Sequence, residues 1–377
     1  MENTINEKKI LSADFDLKKL ISILNAFAKK IDKKINIMNV CGSHEHTITS
    51  SALRDLIPSN INLIPGPGCP VCVCAQRDIK KALYLSSLDN VILATYGDML
   101  RVPVKLSYEE KDIFQTDQDV ISLRQLGGNY KIISSPLEAY KLALKNPDKK
   151  VVLFSVGFET TTAPLVGLLS FDLPKNFFIL MSHKITPAIV NYLLENLCVK
   201  VDGFILPGHV CAVTGKRGWE FLPEKYNLPS VIAGFTVENL LLALIEILRQ
   251  IYEKKSKLVN VYKTAVKDEG NTYILELFEK FLKIDNAYWR SIGKVPNSGH
   301  FLKDTFSYLN AEDHFDIPEF KEEKISGCIC GEIIVGLKLP SDCPLFKKVC
   351  TPLKPVGPCM VSPEGACNIW YRFSKFS

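Results

Sequence analysis

A chain of 377 residues is longer than one ordinary core and points to two or three domains. Hydrophobic content of 47% with 23% charged residues is that of a globular protein and excludes a disordered chain. The net charge of +5 is small for this length and the lysines are scattered, so no nucleic-acid partner is expected.

The opening residues, MENTINEKKI, lack the apolar core of a secretory signal, and the expected location is cytoplasmic. Leu17, Leu20, Ile21, Ile23, Leu24 and Phe27 recur at helical spacing and predict an amphipathic helix. Six short apolar runs follow, over residues 35–40, 61–64, 91–95, 151–156, 177–181 and 203–206. They are continuous rather than alternating and are separated by helical patterns, which implies parallel sheets covered on both faces. The runs at 151, 177 and 203 begin 116, 116 and 112 residues after those at 35, 61 and 91. NVCGSHEHT after the first run also resembles SVGFETTT after the fourth. The spacing therefore predicts two similar Rossmann-like α/β domains, over 35–125 and 126–234. Open α/β sheets bind ligands past the carboxyl ends of their strands, so the site is expected in a cleft between the halves.

From about residue 235 the pattern turns helical. The most apolar stretch, 237–251, carries Glu238, Glu246 and Arg249 and is too short for a bilayer, so no membrane partner is expected. A tail rich in Cys, Pro and Gly starts at Gly327, and 332–337 is its one strand-like run. Residues 1–34 and 235–377 are read together as a third, mainly helical, Cys-rich domain.

Twelve cysteines are the informative feature. In a reducing compartment, thiols serve as metal ligands, nucleophiles or redox pairs. Four stand at 41, 69, 72 and 74 and six between 328 and 367, with Cys198 and Cys211 outside both groups. Cys41 and His44, in Cys41-Gly-Ser-His44-Glu45-His46 at a strand end, suit iron or zinc. Alternatively, His44 lowers the thiol pKa and makes Cys41 a nucleophile. Cys69 and Cys72 form a C-x-x-C in a Pro-Gly loop, suited to a reversible disulfide or half a metal site, with Cys74 a spare thiol. A third strand-end motif, PGHVCAVTG, presents His209, and Asp98 and Glu159 occupy equivalent turns. In the tail, Cys328, Cys343, Cys350 and Cys367 supply enough thiolates for one [4Fe–4S] cluster. Cys330 and Cys359 are left as a possible redox pair beside it.

CGSHEHT, GPGCPVC, PGHVCAVTG and the tail CxCGEIIxG…CPLFKKVCTP…GPCMVSPEGAC, taken together, resemble the HypD family of hydrogenase formation proteins. The resemblance implies two similar α/β domains and an iron–sulfur domain. It implies a scaffold that acts with a small HypC-type chaperone. On that pair, Fe(II) acquires cyanide, from a HypE-type donor, and CO before transfer to the [NiFe]-hydrogenase large subunit. It maps the key scaffold thiol onto Cys41 with His44 beside it and a redox-active pair onto Cys69 and Cys72. The cluster ligands map onto Cys328, Cys343, Cys350 and Cys367. Glu45, His209, Asp98 and Glu159 are read as groups that orient ligands or move protons. Cys74 and Cys211 depart from the family pattern. An iron–sulfur-dependent disulfide reductase is the alternative.

Overall fold

Strand β1 (Ile35–Asn39) runs beside β2 (Ile61–Pro65), and the chain then builds β3 (Val91–Thr95) and the short pair β4 (Val104–Lys105) and β5 (Val120–Ile121). Next come β6 (Tyr130–Ile132), β7 (Lys150–Gly157), β8 (Phe177–Lys184), β9 (Gly203–Pro207), β10 (Ser230–Ala233) and β11 (Leu258–Asn260). The hairpin β12 (Leu282–Trp289) and β13 (Gly293–Leu302) completes the set in this computed structural model, which describes residues 17–197 and 199–374. Cys198 lies outside the described residues.

The first sheet has the order β11-β10-β9-β1-β2 and is parallel throughout. The second has the order β12-β13-β8-β7-β3-β6, parallel from β8 to β6 and antiparallel at the hairpin. Every residue of β3, β8, β9 and β10 is buried, as expected of strands covered on both faces. The fold is α/β with parallel sheets.

The strands are not apportioned at residue 126. β3 lies in the second sheet beside β7, and β9 and β10 lie in the first beside β1. The four-strand orders β10-β9-β1-β2 and β6-β3-β7-β8 match, with β1, β2 and β9 standing where β7, β8 and β3 stand. The repeat in the sequence thus appears as two equivalent sheets that have exchanged their third strands. Backbone ladders are blind to side-chain identity, so a strand completes either sheet equally well, as in domain swapping.

The segments expected to form a third domain divide among other bodies. Helices Leu17–Ala28 and Val237–Glu253 pack on each other and on the first sheet, with Leu20, Leu24, Ile37, Ile205, Leu244 and Leu248 in one buried cluster. The β12–β13 hairpin stands where helices were expected. Its outer strand is exposed from Lys283 to Asn286 and bulges between Asp285 and Ala287, which erases the alternation a strand otherwise shows. Residues 332–337 are not a strand either. Helix Cys330–Ile334 buries Ile333 and Ile334 and ends at Gly336, whose φ of +76° closes the turn. A short apolar run fits either element until its partner is known.

Candidate functional site

Cys41 stands two residues past the end of β1 and is the N-cap residue of helix Gly42–Ser50. Three glycines bring its surroundings together. A Cβ at Gly68 would lie 2.4 Å from the Cys41 Cα, and one at Gly42 would lie 2.6 Å from the Glu364 Cβ. A Cβ at Gly66 would lie 2.9 Å from the Asn39 carbonyl oxygen. The Gly42 N–H also donates to the Gly68 carbonyl at 3.0 Å. The loops after β1 and β2 therefore meet backbone to backbone, with the tail pressed on both.

This packing encloses a narrow cavity. Its walls include Cys41, Glu45, the Pro65–Gly68 turn, Cys69, Cys72, Cys359 and Glu364, together with Ile333 and Ile334. Cys69 and Cys72 are joined as a disulfide with their Cα atoms 5.3 Å apart. The Cys72 N–H donates to the Cys69 sulfur at 3.1 Å. Two of the sequence-predicted groups and one tail cysteine thus share a space.

Burial pushes the Cys41 thiol up to about 11, against the backbone N–H groups of His44 and Ser43, which stabilise the thiolate; the Glu364 carboxylate adds to the rise. The thiol is protonated at neutral pH, and a metal that binds it must displace the proton. Glu364, which sequence reasoning missed although it lies in the GPCMVSPEGAC motif, is itself raised by burial and by the nearby Asp98. Asp98 is raised by burial and bonded to Ser362, so it does belong to this neighbourhood.

His44 is buried and turned elsewhere. Its Nε2 faces the carbonyls of Gly234 at 3.0 Å and Ala233 at 3.3 Å, and its Nδ1 has no hydrogen-bond partner among the described residues. Burial holds its pKa down at about 4, so the ring is neutral and cannot activate Cys41 as an imidazolium. The ring stacks on Phe235 at 4.9 Å, and the exposed His209 lies tilted against the same Phe235 at 3.9 Å. His209 therefore sits at the surface beyond Phe235, away from the cavity walls.

Glu45 is an architectural ion pair. Its carboxylate accepts both oxygens' worth of contact from Arg54 Nη2 at 3.0 and 2.9 Å. It also accepts from Asn39 Nδ2 and Thr49 Oγ1 at 3.0 Å each and from Trp370 Nε1 at 2.7 Å. Glu159 is likewise engaged, accepting from the Thr186 N–H at 2.8 Å, and burial raises its pKa to about 7. Cys211 is buried beside Trp219, Glu159 and Cys41, with its thiol pushed far up by burial. Cys74 is buried with its sulfur 3.5 Å from Ser182 Oγ.

In the tail, the sulfurs of Cys328, Cys330, Cys359 and Cys367 are linked by thiol hydrogen bonds through Cys330, and Cys350 stands within electrostatic reach. Cys330 and Cys359, read as a possible pair, are in contact. Cys343 is half-buried at the start of the turn that leads to Cys350. Among the described residues no three His, Cys, Asp or Glu side chains surround a common point as a metal would require. These thiols rest on one another instead. The donor chemistry nonetheless fits a sulfur-bound iron group, since every donor is soft. A Cβ at Gly357 would fall 2.5 Å from the Cys330 sulfur and 2.6 Å from that of Cys328, so only glycine leaves them room.

Among the described residues, no helix is long and apolar enough to cross a membrane. Residues 16–374 match the family model HypD, described as the hydrogenase formation hypA family. The chain belongs to the HypD family. A hydrogenase expression/formation protein of Methanocaldococcus jannaschii is 44% identical over 95% of this chain and 97% of its own length. The hydrogenase maturation factor HypD of Azotobacter vinelandii is 36% identical over 91% of this chain and 90% of its own. The HypD2 maturation factor of Bradyrhizobium diazoefficiens is 35% identical over 91% and 90%. Membership in HypD places the chain in hydrogenase maturation.

Proposed function

We propose that this HypD protein holds iron as cargo on the Cys41 thiolate while cyanide and CO are installed for [NiFe]-hydrogenase. The reading includes a small HypC-type chaperone as co-ligand and a HypE-type cyanide donor. The observation that carries it is the single cavity walled by Cys41, the Cys69–Cys72 disulfide and Cys359. A cargo thiol, a two-electron store and a link to the tail sulfurs are what loading and reduction on one site demand.

The chain's own groups have definite parts in this scheme. Iron displaces the Cys41 proton, and Glu364 beside it is the carboxylate positioned to receive that proton. His44, three residues along, faces the Gly234 and Ala233 carbonyls instead and is no part of this cavity. Two electrons and two protons open the Cys69–Cys72 disulfide, and its closure returns them. A [4Fe–4S] group held by Cys328, Cys343, Cys350 and Cys367 would supply electrons one at a time. Cyanide and CO are strong-field ligands that favour low-spin Fe(II), so the cargo has to be kept reduced.

A disulfide reductase working on free protein substrates fits less well, because Cys69 and Cys72 are only 6% and 1% exposed. The test of the scaffold reading is Cys41→Ala in the purified complex with the small chaperone. Nitrile and carbonyl infrared bands should vanish while the visible absorbance of the tail group stays. Bands that persist would refute the role of Cys41.

A further inference from the structure

The β12–β13 hairpin turns between the two cysteine-rich segments. Trp289 bridges to Cys74, and the Arg290 N–H donates to the Val73 carbonyl at 2.9 Å. On the other side, a Cβ at Gly331 would come within 2.6 Å of the Ser291 Cβ. Arg290 is thereby carried inside and is 2% exposed. Its Nη2 donates to the Pro103 carbonyl at 2.6 Å, whereas its buried Nη1 has no hydrogen-bond partner among the described residues.

Arg290 lines a cavity of about 340 Å³ together with Cys328 and Cys330. The charged and ionisable groups within its electrostatic reach include Glu322, Cys330, Cys74 and Cys328. Glu322 is half-buried, accepts the Arg77 N–H at 3.0 Å through Oε1, and leaves Oε2 without a hydrogen bond. A buried cation whose Nη1 has no hydrogen-bond partner among the described residues is poorly compensated. Thiolates bound to iron would bring negative charge to the cavity that Arg290 lines with Cys328 and Cys330.

We propose that Arg290 is the counter-charge of the tail sulfur centre, a positioning residue that stabilises its anionic state and raises its reduction potential. This rests on the reading that the tail cysteines hold an iron–sulfur group. Each electron added to such a group increases its negative charge, and a fixed cation in a low-dielectric wall favours the reduced form. Glu322 acts in the opposite sense by neutralising part of the guanidinium field.

The experiment uses the full chain loaded anaerobically with iron and sulfide at pH 8, as wild type, Arg290→Gln, Arg290→Lys and Glu322→Gln. Iron and sulfide are counted, and midpoint potentials are read by electron paramagnetic resonance. Arg290→Gln should lower the potential, Arg290→Lys should stay near wild type, and Glu322→Gln should raise it. Opposite signs for substitutions at two opposite charges are not a signature of general damage. Should Arg290→Gln fail to load, the Glu322→Gln shift decides, and an unshifted or lowered potential overturns the role. Loaded variants with wild-type potentials overturn the role of Arg290 alone. A wild-type chain that takes up no iron or sulfide overturns the cluster reading and this role with it.

Discussion

Glu45 separates an architectural from a catalytic reading of the Cys41-Gly-Ser-His44-Glu45 segment. Its side chain is 2% exposed and its partner Arg54 19%. Four residues from β1, two helices and the tail donate to the one carboxylate. Glu45→Ala strips an acceptor from all four and strands the guanidinium in a part-buried place. Breaking a buried pair from one side costs roughly 3–5 kcal/mol. The individual hydrogen bonds are not summed on top of that, because they share one group and are not additive. Against a typical total stability of about 5–15 kcal/mol, this is a large fraction. Glu45→Gln keeps the acceptor oxygen for Trp370 or Asn39 and loses only the charge, so it should fall between wild type and Ala. Urea denaturation followed by circular dichroism gives the ordering wild type, Gln, Ala. If Glu45→Ala unfolds within about 0.5 kcal/mol of wild type yet abolishes the infrared bands of the cargo, the architectural argument is wrong and Glu45 works on the iron.

Gly68→Ala forces a Cβ to 2.4–2.7 Å from Cys41 backbone atoms, where no flexible side chain can yield. Overpacking of this kind costs about 1–3 kcal/mol, and a melting temperature equal to wild type would contradict the close approach. The Glu159 carboxyl is raised by burial from 4.5 to about 7, so the folded state holds its proton more tightly than the unfolded state. Stability relative to Glu159→Gln should therefore fall as pH rises from about 4.5 to 7, by at most roughly 3 kcal/mol, and level off above. Parallel pH profiles for the two proteins would count against that burial. For the tail, Cys343→Ala should remove the brown colour of the reconstituted chain while Cys330→Ala keeps it; the reverse outcome would exchange their parts.

Much of the architecture is written in local patterns. Strands buried on both faces have to be continuously apolar, so six of them were readable, five to within one residue at each end and β8 three residues short, along with the Leu17–Ala28 and Val237–Glu253 helices. The cysteine motifs were equally legible, because sulfur chemistry restricts which residues can stand together. The short edge strands β6 and β11 and the half-exposed hairpin were not, since an edge strand needs no apolar alternation, and the buried β10 is only four residues long. His44 and Glu45 show the same limit at the site. Their types suit metal chemistry, yet a ring's direction and a carboxylate's partners depend on Gly234 and Trp370, far away in the chain.

What the residues determined by themselves is therefore the class of the fold, its internal repeat and the supply of thiols at two strand ends and in the tail. Tertiary structure alone decided that β3 and β9 change sheets and that the β12–β13 hairpin carries Arg290 in among sulfurs. It also decided that Cys359 reaches the Cys41 cavity. The physical reason is common to all three. Periodicity records whether a residue meets protein or water, whereas these features turn on which protein it meets.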